Sequence, residues 1–351
     1  MHGGFVTLEA MRRAILPLVL VLLAACGGGG DGKSTASMPD LTVAQLNLLH
    51  GTTGMCPQME NCRIDDRADL LAQWVKRSGC PDVLTFQEGW SGWLAQLQAR
   101  ASTMCPFTYQ VQIANPTPGI DEAILLSRYP VLLVEQKALF PGFRKAMHVR
   151  IDHPLGPVDV YTTHLASGSD GATTSCTIAS GPCPAECLAA DAATRRDCQA
   201  VQMAAFIEAT HDLDSPALVS GDFNSDPDSF VYHQFTDRGW RDVYRAAGNP
   251  ECDAATGVGC TSGREDESLV ELESPAGNEV ERIDFIFLIP PRNGFPCTAQ
   301  LDTPDDRDGD GTATRLFADA PNPFARQCGA APLPICWPSD HEGIEMDLNC
   351  G

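Results

Sequence analysis

The sequence predicts an α/β protein organised on buried strands, on three observations. Apolar runs of strand length recur along its 351 residues, and segments with helical apolar spacing lie between several of them. Run after run ends in a polar or charged side chain at a turn. The stretch from Leu218 to Pro227 shows this last feature most sharply. Ala217, Leu218 and Val219 read as a buried strand, and Gly221, Asn224, Ser225 and Pro227 as the turn that ends it. Asp222 and Asn224 are thereby presented at a strand end, where a sheet fixes the backbone while polar side chains stay open to a ligand. An Asx-turn without a role would use the same residues.

Taken in order, Leu41 to Leu48 alternates well enough for a first strand, with Asn47 near its end. Between Arg63 and Arg77, Ile64, Leu70, Leu71, Trp74 and Val75 have helical spacing. Asp82 to Glu88 is an apolar strand finishing in a carboxylate. Such a group is costly to bury alone, so Glu88 predicts a bound ligand or an ion pair. Trp90 to Arg100 reads as a helix, and strands follow over 109–113, 122–127, 131–139, 145–151 and 157–163, with His164 at the end of the last. A lone His there is more often structural than catalytic. Residues 168–190 predict a loop stapled by local cysteines. Arg195 to Asp212 is an amphipathic helix with Val201, Ala204, Ala205 and Ile207 inward, and Ser229 to Gly239 is another helix. An acidic loop over 248–273 precedes a strand from Glu281 to Ile289, which carries Asp284 at an otherwise apolar position. Ser339, Asp340 and His341 then lead into a closing strand, Gly343 to Leu348.

The N-terminal end reads differently. Met11, Arg12 and Arg13 precede an apolar run from Ile15 to Ala25 that is too short to span a bilayer. Residues 1–25 are expected to be a signal peptide, with Met11 the more signal-like start. Leu23, Ala24, Ala25 and Cys26 resemble a bacterial lipobox, which implies lipidation of Cys26. Residues 26–39 have the composition of a flexible tether, so the folded unit is expected over 40–351. Of 15 cysteines, 14 remain after Cys26, an even number that suits disulfides in an exported protein. Close neighbours invite local pairing: Cys56 with Cys62, Cys176 with Cys183, Cys187 with Cys198, Cys252 with Cys260, and Cys336 with Cys350. No Cys-x-x-Cys pair with a matching partner points to a thiolate metal site.

The formal charge of −22 opposes extended contact with duplex phosphates, although a nuclease with a locally basic groove would escape that argument. Asp306, Asp308 and Asp310 followed by Gly311 match the start of an EF-hand-type loop, which would take structural Ca²⁺. The twelfth position is Phe317 where the bidentate Glu should stand, so a solvated acidic loop is the alternative.

Asn47, Glu88, His164, Asp222, Asn224, Asp284, Asp340 and His341 each lie at or beside the end of an apolar strand. Asn and carboxylate oxygens suit Mg²⁺, Mn²⁺ or Ca²⁺, and two His with a carboxylate suit proton transfer during attack of water on phosphorus. The wording and order of the motifs, Leu46-Asn47, Phe86 to Glu88, Leu125 to Pro130, Thr163 to Leu165, Gly221 to Asn224, Arg282 to Ile286 and Ser339 to His341, resemble the endonuclease/exonuclease/phosphatase superfamily over roughly residues 41–348. The resemblance implies a four-layer α/β sandwich, two mostly antiparallel sheets face to face with helices outside. It implies a metal held by Asn47, Glu88 and Asp340. Asp222 would orient or deprotonate the water, with Asn224 steadying it. Asp284 would fix the tautomer of His341, and His341 with His164 would stabilise the phosphorane or protonate the leaving oxygen.

The function expected is that of a lipid-anchored, metal-dependent phosphoesterase acting on a phosphodiester or phosphomonoester, exported to the periplasmic face or the cell surface. Its partners would be a lipid head group, a small phosphodiester or a nucleic acid as substrate, and the membrane through Cys26; no protein partner can be inferred. Thr163 to Leu165 and Phe86 to Trp90 lean towards the sphingomyelinase and phosphatase branches. An extracellular nuclease is the alternative. An inactive surface binding protein would show a broken constellation, and none of its eight positions is lost.

Overall fold

A computed structural model of the chain describes residues 41–50, 60–89, 92–114, 123–154, 156–168, 171–176, 182–264, 272–277, 279–292, 314–322, 328 and 335–348. The expected signal peptide, Cys26, the tether and the Asp306–Asp310 loop lie outside these residues. Among the described residues no helix is long and apolar enough to cross a membrane.

Strands β1 (Leu41–Asn47), β2 (Val83–Gln87), β3 (Gln110–Ile113), β4 (Ile124–Ser127), β11 (Thr314–Phe317) and β12 (Gly343–Leu348) form one six-stranded sheet in the order β11-β12-β1-β2-β4-β3. Strands β5 (Val131–Leu139), β6 (Arg144–His153), β7 (Gly156–His164), β8 (Ala217–Asp222), β9 (Arg241–Asp242) and β10 (Asp284–Ile289) form the other, in the order β5-β6-β7-β8-β10-β9. The sheets share one plan. Each has a central parallel pair, β1 with β2 and β7 with β8, flanked by antiparallel partners.

That plan positions the site. The central parallel strands finish at Asn47, Gln87, His164 and Asp222, and their antiparallel neighbours β10 and β12 begin at Asp284 and Gly343. Within the second sheet the register sets His164 and Asp284 on either side of Asp222.

Side-chain alternation divides the core into layers. Leu41 and Val43 of β1, Leu218 of β8, Ile286 of β10 and Met346 of β12 pack between the sheets. Ala44 and Leu46 turn outward against α1 (Ile64–Arg77) and α2 (Trp93–Arg100), where Leu71, Trp74 and Trp93 pack. Ala217 and Val219 turn against α4 (Arg195–Thr210) and α5 (Phe230–Thr236), with Met203, Ile207 and Phe235. Two sheets between two helical layers are the four-layer sandwich expected. Strands buried on both faces explain why their apolar runs are continuous.

Towards the site the apolar layer between the sheets becomes polar. Thr85 Oγ1 lies 2.8 Å from Ser220 Oγ, and Gln87 Nε2 donates to Thr162 Oγ1 at 3.1 Å. Hydrogen bonds crossing from sheet to sheet satisfy groups that burial would otherwise penalise.

Several elements were not legible. A short helix, α3 (Ala185–Ala189), sits inside the expected 168–190 loop, and β9 with α6 (Val243–Ala246) follows α5. Strand β11 lies in a stretch where the sequence predicted no strand. Cysteine pairing agrees with proximity at Cys176–Cys183, Cys187–Cys198 and Cys252–Cys260. It departs at Cys336, which bonds to Cys328 and not to Cys350. The shorter closure needs no excursion past the buried strand β12. Cys80–Cys105 joins residues 25 apart at the C-terminal ends of α1 and α2, a pairing set by helix packing. Cys62 is also disulfide-bonded, while Cys56 lies outside the described residues.

Candidate active site

All eight strand-end residues singled out in the sequence gather at one end of the sandwich. Asn47 Nδ2 donates to Glu88 Oε1 at 3.1 Å and to Asp222 Oδ2 at 2.9 Å, so one amide joins carboxylates of the two sheets. Its Oδ1 accepts from Leu49 N at 3.0 Å. Glu88 follows β2 with φ +57°, and its Oε2 accepts from His50 N at 3.0 Å. Burial would raise its pKa, but His164, His50 and these hydrogen bonds hold it at about 2.

Asp222 Oδ1 accepts from Asn224 N at 2.8 Å, and Asn224 Nδ2 donates to Leu165 O at 3.0 Å. Asn224 itself sits at φ +50°, a conformation Asn tolerates better than most residues. The Asp222 pKa is raised, first by burial and then by Asp284; His164, His341 and Asn47 oppose the shift. Gly221 just before it has φ +153°, and a methyl group there would collide with Thr163 O. Gly343, two residues after His341, is pressed as closely against Gln45 O. Both glycines let neighbouring strands close around the site.

His164 Nδ1 lies 2.6 Å from Arg144 Nη1. A guanidinium can only donate, so Nδ1 is the acceptor and the ring proton is on Nε2, which faces Asp222 Oδ2 at 3.4 Å. His341 is oriented in the same manner but with the opposite charge. Its Nδ1 donates to Asp284 Oδ2 at 2.8 Å, while Asp284 Oδ1 accepts from Gln45 Nε2 at 2.9 Å. Burial would lower the His341 pKa; Asp284 and Asp340 override it and hold it well above 6.5.

Ser339 connects Asp340 to this network, its Oγ lying 2.5 Å from Asn47 O and 3.1 Å from Asp340 Oδ1 and accepting from His341 N at 3.2 Å. The Asp340 pKa is raised, by burial and then by Glu88, with His341 and Arg67 opposing. Carboxylates that repel one another in a buried cleft are a donor set suited to a divalent cation. Ligand atoms of Asp222, Asp284 and His341 also lie within 4.8 Å of one another, a second grouping able to hold an ion. The Cys176, Cys183 and Cys198 grouping is different in kind, since its sulfurs are spent in disulfides.

Sequence reasoning missed Gln45, His50, Arg67, Arg144 and Ser262, whose Oγ lies 3.4 Å from His341 Nε2. Gln45 carried a signal: it shares the parity of Asn47 on β1, and a polar residue between Val43 and Asn47 on a buried face needs a partner. Arg67 is fully buried on α1 and donates to the carbonyls of Pro338, Cys62, Leu48 and Leu49, fastening the loops after β1 and before β12. Burial lowers its pKa to about 10 against the pull of Asp340 and Glu88. Arg144 begins β6, 20 residues before its partner, and nothing local distinguishes it.

Residues 44–341 match the model of the endonuclease/exonuclease/phosphatase family. No curated protein matches the chain at a significant level. Several solved structures share its fold. An endonuclease/exonuclease/phosphatase from Bacteroides vulgatus superposes with a TM-score of 0.57 at 18% identity, covering 89% of this chain and 100% of that one. D. rerio TDP2 complexed with single-strand DNA product gives 0.54 at 18% identity, covering 88% and 99%. The human nocturnin catalytic domain with bound sulfate gives 0.51 at 16% identity, covering 88% and 93%.

Proposed function

The chain belongs to the endonuclease/exonuclease/phosphatase family, whose members are hydrolases acting on phosphoester bonds, and from that membership we propose that it is a divalent-metal-dependent phosphoesterase. The observation that carries this reading is the division of labour among buried groups at one strand end. Glu88 is held ionised, Asp222 is poised above the ordinary carboxylate range, and His341 is held protonated by Asp284. Groups pushed apart in this way can serve as anion, base and acid at the same pH.

In the proposed mechanism Glu88 and Asp340 would hold the ion, with Asn47 spanning Glu88 and Asp222. A bound divalent cation supplies Lewis-acid stabilisation of charge on the phosphoryl oxygens. Asp222 accepts a proton from the attacking water, which the Asn224 loop orients. The Nε2–H of His164 donates to a phosphoryl oxygen, and the imidazolium of His341 offsets the charge of the phosphorane or protonates the leaving oxygen.

Export and lipidation at Cys26 are proposed with it. For substrate, the −22 charge and the motif wording favour a sphingomyelin-like or small phosphoester over nucleic acid. Cleavage of DNA or RNA is the second reading, favoured by the likeness to a TDP2 structure that contains a single-strand DNA product.

The chain would be expressed under oxidising conditions and offered bis-p-nitrophenyl phosphate, sphingomyelin, inositol phosphates, plasmid DNA and RNA, each with Mg²⁺ and with EDTA. Hydrolysis that needs Mg²⁺ and is lost in His341→Ala is expected. A folded chain inactive on every substrate, or a His341→Ala variant as active as the parent, would sink the proposal and leave an inactive binding protein on the same fold.

A further inference from the structure

We propose that Arg196 is a substrate-binding residue whose guanidinium takes anionic oxygens of the phosphoester on the Asp222 side of the cleft; this rests on the phosphoesterase reading. Four other arginines around the site are already engaged. Arg67 is fully buried and spent on backbone carbonyls. Arg144 holds His164. Arg282 is paired with Asp242 and Glu251, and Arg264 with Glu279 and Glu342. Arg196 is half-buried, yet its guanidinium makes one long contact, Nη1 to Ala166 O at 3.5 Å, and among the described residues no carboxylate pairs with it.

Its surroundings are nonetheless those of the reaction centre. Asp197, Asp222, Asp226 and Glu281 all lie within electrostatic reach. Ala166 follows Leu165, whose N–H donates to Asp222 O and whose carbonyl accepts from Asn224 Nδ2, both at 3.0 Å. The guanidinium therefore stands one peptide from the group that holds Asn224 and two from His164.

The backbone that presents it is firmly fixed. Arg196 N donates to Ala172 O, and Thr194 and Asp197 close a reciprocal cap on the first turn of α4. Gln199 Oε1 accepts from Ala166 N at 2.7 Å, and Cys198 is bonded to Cys187. Burial costs a guanidinium part of its hydration; Asp197, Asp222, Asp226 and Glu281 offset that loss only in part, and among the described residues no ion-paired carboxylate makes up the rest. A phosphate oxygen pair would, because guanidinium and phosphate match as a bidentate fork. The cations then divide the site: Arg67 stands behind Glu88 and Asp340, out of reach of substrate, and Arg196 beside Asp222, within reach of it.

Full-length wild type, Arg196→Gln and Arg196→Lys would be compared by calorimetric titration with inorganic phosphate in Mg²⁺, by hydrolysis of bis-p-nitrophenyl phosphate, and by thermal melting. The Gln variant should bind phosphate about tenfold more weakly and show KM raised by a similar factor at an unchanged melting temperature, with Lys recovering part of the loss because charge remains while the fork is gone. Wild-type phosphate affinity in Arg196→Gln would overturn the proposal, as would loss of affinity only in step with a lowered melting temperature, or a wild type that binds no phosphate. Arg196-dependent phosphate binding without ester hydrolysis would support the anion site and count against the phosphoesterase reading instead.

Discussion

The carboxylate of Asp284 holds the imidazole of His341 through a 2.8 Å contact to Nδ1, and Gln45 from the opposite sheet fixes that carboxylate in turn at 2.9 Å. The pair spans two strands far apart in sequence, β10 and the start of β12. Replacing Asp284 by Asn removes the charge that raises the His341 pKa and offers Nδ1 no certain acceptor. Activity in Asp284→Asn should fall by about 10²- to 10⁴-fold.

The pH profile supplies a sharper check on the same pair. With the His341 pKa well above 6.5, the protonated form persists through neutrality and activity should decline only at higher pH. The acid limb should be set by Asp222, whose raised pKa places its deprotonation above the usual 3.8, and not by Glu88 at about 2. In Asp284→Asn the basic limb should move to lower pH, and the acid limb should move the same way, because the Asp284 charge also raises the Asp222 pKa. The sign for stability follows by linkage: the His341 contribution is complete below its unfolded pKa and is lost as pH rises through the folded one. Urea midpoints measured at rising pH should show that loss in the parent and less of it in Asp284→Asn.

Arg144 acts on His164 in a different way, by fixing the tautomer. Arg144→Gln can present a carbonyl to Nδ1 and draw the ring proton there, leaving Nε2 unable to donate. A loss of about 10²-fold in kcat with little change in KM is expected, and ¹⁵N shifts of the His164 ring should report the altered tautomer.

Metal binding should be measurable as stability. An ion that binds only the folded chain raises stability by about 2.7 kcal/mol at a concentration 100 times its Kd. Mg²⁺ or Mn²⁺ should therefore raise the melting temperature of the parent, and Glu88→Gln should lose most of that rise. An equal rise in both would place the ion elsewhere, for instance at Asp306–Asp310.

Gly221→Ala tests the close approach of β8 to β7. The added methyl meets Thr163 O and requires a backbone conformation L-residues avoid, so a loss of at least about 2 kcal/mol is expected, with activity falling further because Asp222 is the next residue. Chemical denaturation and hydrolysis rates on the same preparation would separate the two effects.

Removal of the Cys187–Cys198 bond, which closes a short loop and enters α4, should cost about 2–3 kcal/mol. Since Gln199 on the next residue supports Ala166, the loss should also lower activity, and Cys80→Ser/Cys105→Ser, which opens the bond at the C-terminal ends of α1 and α2, should not lower it to the same extent. Melting curves with parallel rate measurements would check the contrast.

How far the sequence reached can be seen residue by residue. Asn47, Glu88, His164, Asp222, Asp284 and His341 were legible because a polar residue closing an apolar run is a local signal, and strand ends in a doubly covered sheet are where such residues can be tolerated. The ordered set also identified the family and the four-layer class. Gln45 was legible in principle, since side chains two apart on a strand share a face. Arg144 was not, because its value depends on β6 lying beside β7, which no short stretch encodes.

What the sequence by itself determined, then, was the inventory of strand-end donors and their order, because alternation and turn chemistry act over a few residues. The tertiary structure alone decided their pairing: that both central parallel pairs end on the same side, that Asn47 joins Glu88 to Asp222 across the sheets, and that among the described residues no carboxylate forms an ion pair with Arg196. Those relations depend on sheet order and register between distant strands, which buried packing selects over the whole chain.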